Sequence, residues 1–190
     1  MGYAIADAAL EAGHDVVLVS GPVAIDPPRG AKLIFVSTSD EMFDAVHQHA
    51  GDRDIVVMCA AVADYKPATV LPNKIKKGHE IFSLKLLPTR DILTSLAKPY
   101  RQFLLVGFAA ETQNVEENAQ KKLRDKNCDV VVANDVSNTR SGIESDENEV
   151  TIIFHSGEMK RIRRAQKKII ARKLVKIFSN MREKCLTKKV

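Results

Sequence analysis

The sequence has no tryptophan, only 5% aromatic residues and only three cysteines among its 190 residues. Cys59, Cys128 and Cys185 form no CxxC pair, so the sequence favours neither a disulfide framework nor a thiolate zinc site, and we expect reduced thiols. No apolar run approaches the roughly 20 residues that a membrane-spanning helix needs. The opening residues also lack the basic start and the cleavage site of a signal peptide. These absences predict a cytoplasmic protein.

Acidic residues are nearly absent from the C-terminal part of the chain. Residues 160–190 contain 13 Lys and Arg and one acidic residue, whereas residues 1–159 contain 16 Lys and Arg and 23 acidic residues. Apolar residues recur at helical spacing from Ile162 to Met181, which predicts a basic amphipathic helix over about 160–184. The tail has no interleaved aromatic residues and no nucleic-acid motif. We therefore expect a packing helix, with no nucleic-acid and no membrane partner.

The composition, with 45% hydrophobic and 28% charged residues, predicts one globular domain over residues 1–190. Apolar runs rich in β-branched residues lie at 15–22, 32–38, 54–61, 103–110 and 129–135. Helical patterns lie at 2–12, 39–50, 89–97 and 114–126. Nearly continuous apolar strands are buried on both faces. The alternation therefore predicts a Rossmann-like α/β fold, a mostly parallel sheet with helices on both faces.

Two features depart from a simple alternation. We predict that residues 80–87 pair with residues 150–155 as an antiparallel extension. Domains of this class open with a strand that carries a phosphate-binding loop, whereas this sequence begins in the helical pattern of 2–12. We interpret the chain as an N-terminally truncated domain whose first strand is missing; a fold that begins with a helix is the alternative.

Several catalytic motifs are absent. The sequence contains no GxGxxG, no GxxxxGK[ST], no GxSxG and no HExxH, which disfavours dinucleotide-binding, P-loop, serine-hydrolase and zinc-protease functions. Its nearest candidate for a dinucleotide turn contains Pro22, which lacks the amide donor that such a turn needs.

Candidate binding groups follow the predicted strands. Ligands bind beyond the carboxyl ends of strands in open parallel sheets, and these ends carry Asp64, Phe108 and the pair Asn134 and Asp135. Each is weak by itself, because Asp and Asn at such positions often only form turns or caps.

Lysines form two further groups. One loop contains Lys74, Lys76 and Lys77, and one predicted helix carries Lys122 and Lys126 on the same face. A surface cluster exposed to solvent is one interpretation of these lysines. The other is a clamp for a triphosphate, with charge stabilisation by lysine and Mg²⁺.

Four motifs in one order carry a resemblance. They are Ala60-Ala61-Val62-Ala63-Asp64-Tyr65, Lys74-Ile75-Lys76-Lys77, Val106-Gly107-Phe108-Ala109-Ala110-Glu111-Thr112 and Ala133-Asn134-Asp135-Val136. With the opening Met1-Gly2-Tyr3-Ala4-Ile5-Ala6 and with Val19-Ser20-Gly21-Pro22, they cover essentially the whole chain. The sequence resembles bacterial phosphopantothenate–cysteine ligase, the synthetase half of a bifunctional coenzyme A biosynthesis flavoprotein.

The resemblance implies a CTP-dependent ligase that joins 4′-phosphopantothenate to L-cysteine through an acyl-cytidylate, with Mg²⁺. It also implies a homodimer and, in the full-length form, fusion to a flavin-dependent decarboxylase. That half is absent from these residues, so we expect no FMN here, and Cys59 is not its catalytic cysteine.

The resemblance also implies a nucleotide site, in which Lys74 has a catalytic role, and leaves the metal ligands unassigned. The nucleotide-binding residues would be Met58, Cys59, Ala60, Asp64, Lys74, Arg90, Asp91, Ile92, Leu93, Phe108, Lys122 and Lys126.

The sequence departs from the family pattern at two places. Arg90 stands where the family usually has proline. The family also has a strand and a glycine-rich turn ahead of the residues that begin here, and this segment contributes to the phosphopantothenate site. The alternative function is therefore a truncated, catalytically impaired nucleotide-binding module of the same family.

Overall fold

The computed structural model describes residues 1–77, 81–111, 113–135 and 145–187. Its helices are α1 (Gly2–Glu11), α2 (Ser39–Ala50), α3 (Ile92–Leu96), α4 (Val115–Asp125) and α5 (Lys167–Thr187). Its strands are β1 (Val17–Ser20), β2 (Lys32–Phe35), β3 (Ile55–Met58), β4 (Tyr65–Pro67), β5 (Leu86–Pro88), β6 (Leu104–Glu111), β7 (Val130–Asp135), β8 (Glu147–Phe154) and β9 (Met159–Gln166). The predicted alternation of strands and helices is confirmed through residue 135.

The central sheet has the order β3-β6-β7-β8-β9. Strands β3, β6 and β7 are parallel, and β8 and β9 add to them antiparallel. Leu105, Val131 and Ile152 in its middle strands are completely buried, which is why these strands have no polar face. The predicted α/β class with a mostly parallel sheet is confirmed.

Helices cover both faces of this sheet. One hydrophobic cluster joins the sheet to α2, α3 and α4, and includes Met42, Leu93 and Leu123. A second cluster joins the opposite face to α1 and α5, and includes Ile5 and Phe178. Among the described residues, no helix is both long and apolar enough to cross a bilayer.

The sheet is interrupted between β1 and β3. β1 and β2 form a separate parallel pair, and within the described residues no ladder joins β1 to β3. The beginning of α1 lies at this break. The Tyr3 hydroxyl is 2.9 Å from the hydroxyl of Ser20, the last residue of β1, and a Cβ on Gly2 would lie 3.7 Å from the Cβ of Cys59, which follows β3.

The predicted pairing of residues 80–87 with 150–155 is wrong. β5 pairs instead with β4, Leu86 opposite Pro67, while β8 pairs with β7 and β9. The physical reason is burial. β8 alternates buried apolar residues such as Val150 and Ile152, and these complete the central sheet, whereas every residue of β5 is exposed. Residue 80 lies outside the described residues.

The predicted helix over 160–184 starts too early. Residues 160–166 belong to β9, and α5 runs from Lys167 to Thr187. In β9, Ile162 is buried in the sheet, while Arg161 and Arg164 pair with Glu149 and Glu147 of β8 at 2.5 and 2.6 Å. Cross-strand pairing thus overrides the helical spacing. The rest of the prediction holds, because α5 buries a face from Ile170 to Phe178.

Candidate nucleotide site

The carboxyl ends of β3 and β6 form the floor of the candidate site. Met58 lies opposite Gly107 in the parallel ladder, and its side chain packs against the cluster beneath α2 and α3. A Cβ at Gly107 would lie 3.1 Å from Cδ2 of Leu93. Glycine at this position therefore lets α3 pack directly on the strand end.

The loop after β3 is tied to the segment that precedes α3. The Thr89 amide donates to the Asp64 carbonyl at 2.8 Å, and the Thr89 hydroxyl donates to the Ala63 carbonyl at 2.7 Å. These bonds fasten the loop that carries the exposed Asp64 to the segment before α3. The sequence analysis missed Thr89, whose only signal was its position as the first residue of the predicted helical pattern at 89–97.

Asp91 caps α3 and also contacts α4. Its carboxylate accepts the Thr94 amide at 2.9 Å and the Lys126 ammonium at 2.5 Å. Partial burial raises the pKa of Asp91, but the hydrogen bonds from Lys126 and Thr94 lower it by more, so the pKa lies below its ordinary value. Ile92 and Leu93 bury their side chains in the core. Only their backbone groups are available to a ligand.

The two α4 lysines converge on this edge. The Lys122 ammonium donates to the Phe108 carbonyl at 2.7 Å, and Lys126, the residue that ends α4, is paired with Asp91. The Phe108 ring packs toward the opposite cluster with α1 and α5. Phe108 therefore contributes its backbone carbonyl on this side. The prediction that both lysines share one helix face is confirmed.

Arg90 is held away from the site floor by α2. It pairs with Asp40 at 3.2 Å and with Asp44 at 3.0 Å, and its guanidinium carbon lies 3.8 Å from the centre of the Phe43 ring. Asp40 also accepts a hydrogen bond from Lys66, which is the main reason why the pKa of Asp40 is lowered. The sequence analysis did not identify Asp40, because no local motif shows that α2 lies beside residues 66 and 90.

The other predicted site residues do not join this cluster. Lys74 is exposed, and no contact joins it to the remaining site residues in the described structure. Cys59 lies beside Gly2 of α1, and burial raises the pKa of its thiol, while Ala60 is exposed. Asn134 ends β7, and its side-chain oxygen accepts no hydrogen bond from the described residues.

Among the residues that the structure describes, no cluster of metal-ligating side chains lies at the site. Across residues 1–77, 81–111, 113–135 and 145–187, no three His, Cys, Asp or Glu side chains come together in a way that could hold a metal ion.

Comparison with known proteins assigns the family. The family model for the DNA/pantothenate metabolism flavoprotein C-terminal domain matches residues 1–181. The chain belongs to this family. The chain also has the fold of a solved structure, the C-terminal domain of the coenzyme A biosynthesis bifunctional protein CoaBC. The TM-score is 0.80 and the sequence identity is 40%, and the match covers 96% of this chain and 82% of that chain.

Relatives of this flavoprotein C-terminal domain include longer proteins. The bifunctional protein CoaBC of Bacillus subtilis (strain 168) is 45% identical over 163 residues, which are 85% of this chain and 40% of that protein. The chain thus spans about two fifths of this curated relative. A Cab2 mutant in complex with phosphopantothenate-cysteine shares the fold, with a TM-score of 0.71 and 14% identity, covering 98% of this chain and 78% of that chain. The resemblance inferred from the four motifs is confirmed at the level of the family.

Proposed function

We propose that the chain is the ligase domain that joins 4′-phosphopantothenate to L-cysteine in coenzyme A biosynthesis, with CTP as the activating nucleotide. The observation that carries the proposal is the convergence of Lys122 and Lys126 on Phe108 and Asp91 at the carboxyl edge of the parallel sheet. Membership of the flavoprotein C-terminal domain family supports the ligase class, as does the phosphopantothenate-cysteine bound by the Cab2 structure.

The proposed reaction has two steps. A carboxylate oxygen of phosphopantothenate attacks the α-phosphorus of CTP, the bond to the bridging oxygen breaks, and pyrophosphate leaves. The cysteine amine then attacks the acyl carbon, loses a proton to solvent and displaces CMP to leave an amide. The first step needs cations near the triphosphate, because negative charge passes to the leaving pyrophosphate.

The lysines of α4 are suited to that role. In this structure Lys122 is bonded to a neutral carbonyl, and an anionic phosphate oxygen is a stronger acceptor. Lys126 is paired with Asp91, and we propose that the triphosphate takes over this cation while Asp91 keeps its cap on α3. Exposed Asp64 is available to accept hydrogen bonds from the base or the ribose.

Mg²⁺ fits this arrangement as a companion of the nucleotide. It is usually bound by one or two carboxylates together with substrate phosphates rather than by an all-protein cage, and Asp64 is an exposed carboxylate at this edge. Bound there, Mg²⁺ would neutralise charge on the phosphate oxygens. The same proposal includes a cytoplasmic homodimer and fusion to a flavin-dependent decarboxylase in longer relatives.

A second candidate is a nucleotide-binding module that is impaired in catalysis. The break between β1 and β3 favours it, because β3 is the strand whose end begins the candidate site. Such a module would bind CTP through the α4 lysines and release no pyrophosphate when the other substrates are added.

Calorimetric titration of the chain with CTP and with ATP, each with Mg²⁺, tests the proposal. We expect CTP to bind and ATP to bind more weakly. Lys126→Met should weaken CTP binding by about tenfold or more, since a hydrogen bond to a charged group contributes roughly 1.5–3 kcal/mol. Lys121→Met removes the same charge from an exposed position on the same helix and should bind CTP normally.

Three results would count against the proposal in different ways. Equal binding of CTP and ATP would remove the CTP assignment, and equal losses in both lysine variants would remove the α4 clamp. Normal CTP binding, without release of pyrophosphate from CTP when phosphopantothenate is added, would select the impaired module.

A further inference from the structure

A charged cavity lies on the hairpin of β8 and β9, at the edge of the central sheet. Its volume is about 660 Å³, and it is lined by Glu149, Arg161, Arg163 and Arg164. The volume falls within the range of roughly 300–1,000 Å³ that is usual for small-molecule sites. Three guanidinium groups against one carboxylate give the lining a positive charge, which restricts the class of ligand to anions.

The three arginines share this cavity because β9 contains a bulge. The register between the two strands shifts between Asn148 and Val150 of β8, so Glu149 alone lies opposite both Arg163 and Arg164. A bulge adds one residue to a strand and re-aims its side chain. In a regular strand, two neighbouring residues would point to opposite faces of the sheet. Here both arginines line the same cavity.

Two glutamates of β8 lie on the same face of the hairpin. Glu147 and Glu149 are two residues apart, so both point to one side of the strand. Glu149 pairs with Arg161 at 2.5 Å, and Glu147 pairs with Arg164 at 2.6 Å. The other face of the hairpin carries Ile162, which is buried in the cluster with α1 and α5. The cavity therefore opens on the side of the sheet that faces away from α1 and α5.

The two glutamates leave one arginine without a counter-charge. Arg163 is exposed and takes part in no hydrogen bond or ion pair with the described residues. Its neighbour Arg161 is paired, but its side chain is 71% exposed, and exposed ion pairs are weak. An anion that enters the cavity therefore finds one available guanidinium and a second one that Glu149 holds only weakly.

The arrangement suits phosphate groups in particular. The guanidinium group presents its N–H donors as a planar fork that matches two oxygens of one phosphate. Arg163 has its whole fork available, while Arg161 directs Nε and Nη2 to a single oxygen of Glu149. A molecule with two linked phosphates carries enough charge to engage Arg163 and one neighbour together.

We propose that this cavity, the arginine site, binds a small phosphorylated molecule, with Arg163 as the main contact and Arg161 and Arg164 as supporting donors. Val150, next to the cavity, pairs with Asn134 near the end of β7. The arginine site thus lies at the same edge of the sheet as the candidate nucleotide site. Three strand spacings, about 14 Å, separate β9 from β6. It is therefore a second site, and it does not rest on the proposed function.

Calorimetric titration of the full chain with inorganic pyrophosphate, in the absence of Mg²⁺, tests the arginine site. Arg163→Gln should weaken pyrophosphate binding about tenfold or more, because it removes charge-assisted hydrogen bonds. Lys160→Gln is the matched control, since it removes one positive charge from the same strand. Lys160 lies opposite Ile152, which is buried on the other face of the sheet. Its loss should change the affinity by less than about threefold, because solvent and salt screen charges that do not contact the ligand.

Glu149→Gln should act in the opposite direction. It removes a negative charge from the cavity and releases Arg161 from its ion pair, so pyrophosphate should bind about threefold more tightly. A loss of affinity in Arg163→Gln together with a gain in Glu149→Gln does not result from damage to the fold. Thermal melts of Arg163→Gln and Lys160→Gln should match that of the wild-type chain, because both side chains are exposed.

Three results would overturn the proposal. They are no binding at millimolar pyrophosphate, equal losses of affinity in Arg163→Gln and Lys160→Gln, and tighter binding of a hexaglutamate peptide than of pyrophosphate, which would assign the cavity to an acidic protein. Lys126→Met, which tests the nucleotide site, should retain the part of pyrophosphate binding that depends on Arg163. Failure of the arginine site and failure of the proposed ligase function therefore give different results.

Discussion

The catalytic role that the family resemblance implies for Lys74 stays a prediction, and Lys74 lies exposed in the segment between β4 and β5. This position suits a group that reaches the phosphates only when the nucleotide is bound. Lys74→Gln should then slow pyrophosphate release on the order of 100-fold, while the CTP dissociation constant changes by less than about threefold. Single-turnover release of labelled pyrophosphate, compared with calorimetry, separates the two quantities. Lys121→Gln serves as the charge control, and equal losses in rate and affinity would contradict a role confined to the transition state.

Gly107 illustrates a residue required by packing beneath the site. An added Cβ would meet Leu93 Cδ2 at 3.1 Å and Cys128 Sγ at 3.4 Å, and both neighbours are buried. Gly107→Ala should lower the free energy of unfolding by about 1–3 kcal/mol, the usual effect of overpacking, as measured by urea denaturation.

Gly51 supplies the matched control for this substitution. It has right-handed helical dihedrals, φ −64° and ψ −28°, and nothing lies within 4 Å of an added Cβ. Gly51→Ala should be neutral or slightly stabilising. A Gly107→Ala variant as stable as Gly51→Ala would show that Leu93 moves aside freely and that α3 is not tightly seated on β6.

At the scale of elements, α1 and α5 are joined by a charge cluster far apart in sequence. Glu11 accepts hydrogen bonds from Arg172 at 2.6 Å and pairs with Lys168 at 3.1 Å. The pKa of Glu11 is lowered to about 2, mainly by the hydrogen bond from Arg172 and secondly by the one from Lys168. A carboxylate with a depressed native pKa stabilises the fold above its unfolded pKa, and this stabilisation is lost as the pH falls toward the native value.

Glu11→Gln should therefore be less stable than the wild-type chain at pH 7. The difference in unfolding free energy between the two proteins should shrink as the pH falls from about 4.5, the ordinary pKa of a glutamate, toward about 2, the pKa of Glu11 in the fold. Urea denaturation at pH 7, 4 and 2.5 measures it. Asp125→Asn removes a similar charge from an exposed site on α4 and should show no such convergence. If Glu11→Gln is less stable than the wild-type chain by the same amount at all three pH values, loss of the ion pairs is not the cause of its lower stability.

At the scale of the whole molecule, the break in the sheet and the β4–β5 pair both lie beside the candidate site. The break lies between β1 and β3, and the segment with β4 and β5 starts directly after Asp64 and ends at Thr89, whose amide donates to the Asp64 carbonyl. The candidate nucleotide site is located where these regions meet the carboxyl edge of β6. On β9, Arg161 and Arg164 are paired with Glu149 and Glu147 of β8.

Local patterns were enough to establish the α/β class, four of the five helices, and the two lysines on one face of α4. Their signals, apolar runs and helical periodicity, are short-range consequences of burial and backbone geometry. The family followed from ordered motifs, and the comparison with known proteins confirmed it. The sites of CTP, Mg²⁺ and both other substrates stay predictions.

Tertiary structure decided the features that depend on neighbours distant in sequence. Residues 160–166 have spacing compatible with a helix, but Glu147 and Glu149 on β8 offer partners that make them a strand. β5 pairs with β4 because β8 finds its burial between β7 and β9. Arg90 is held by Asp40 and Asp44, and Lys66 of β4 is paired with the same Asp40. Pairing of strands and charges across dozens of residues depends on which surfaces meet, and local sequence does not contain that information.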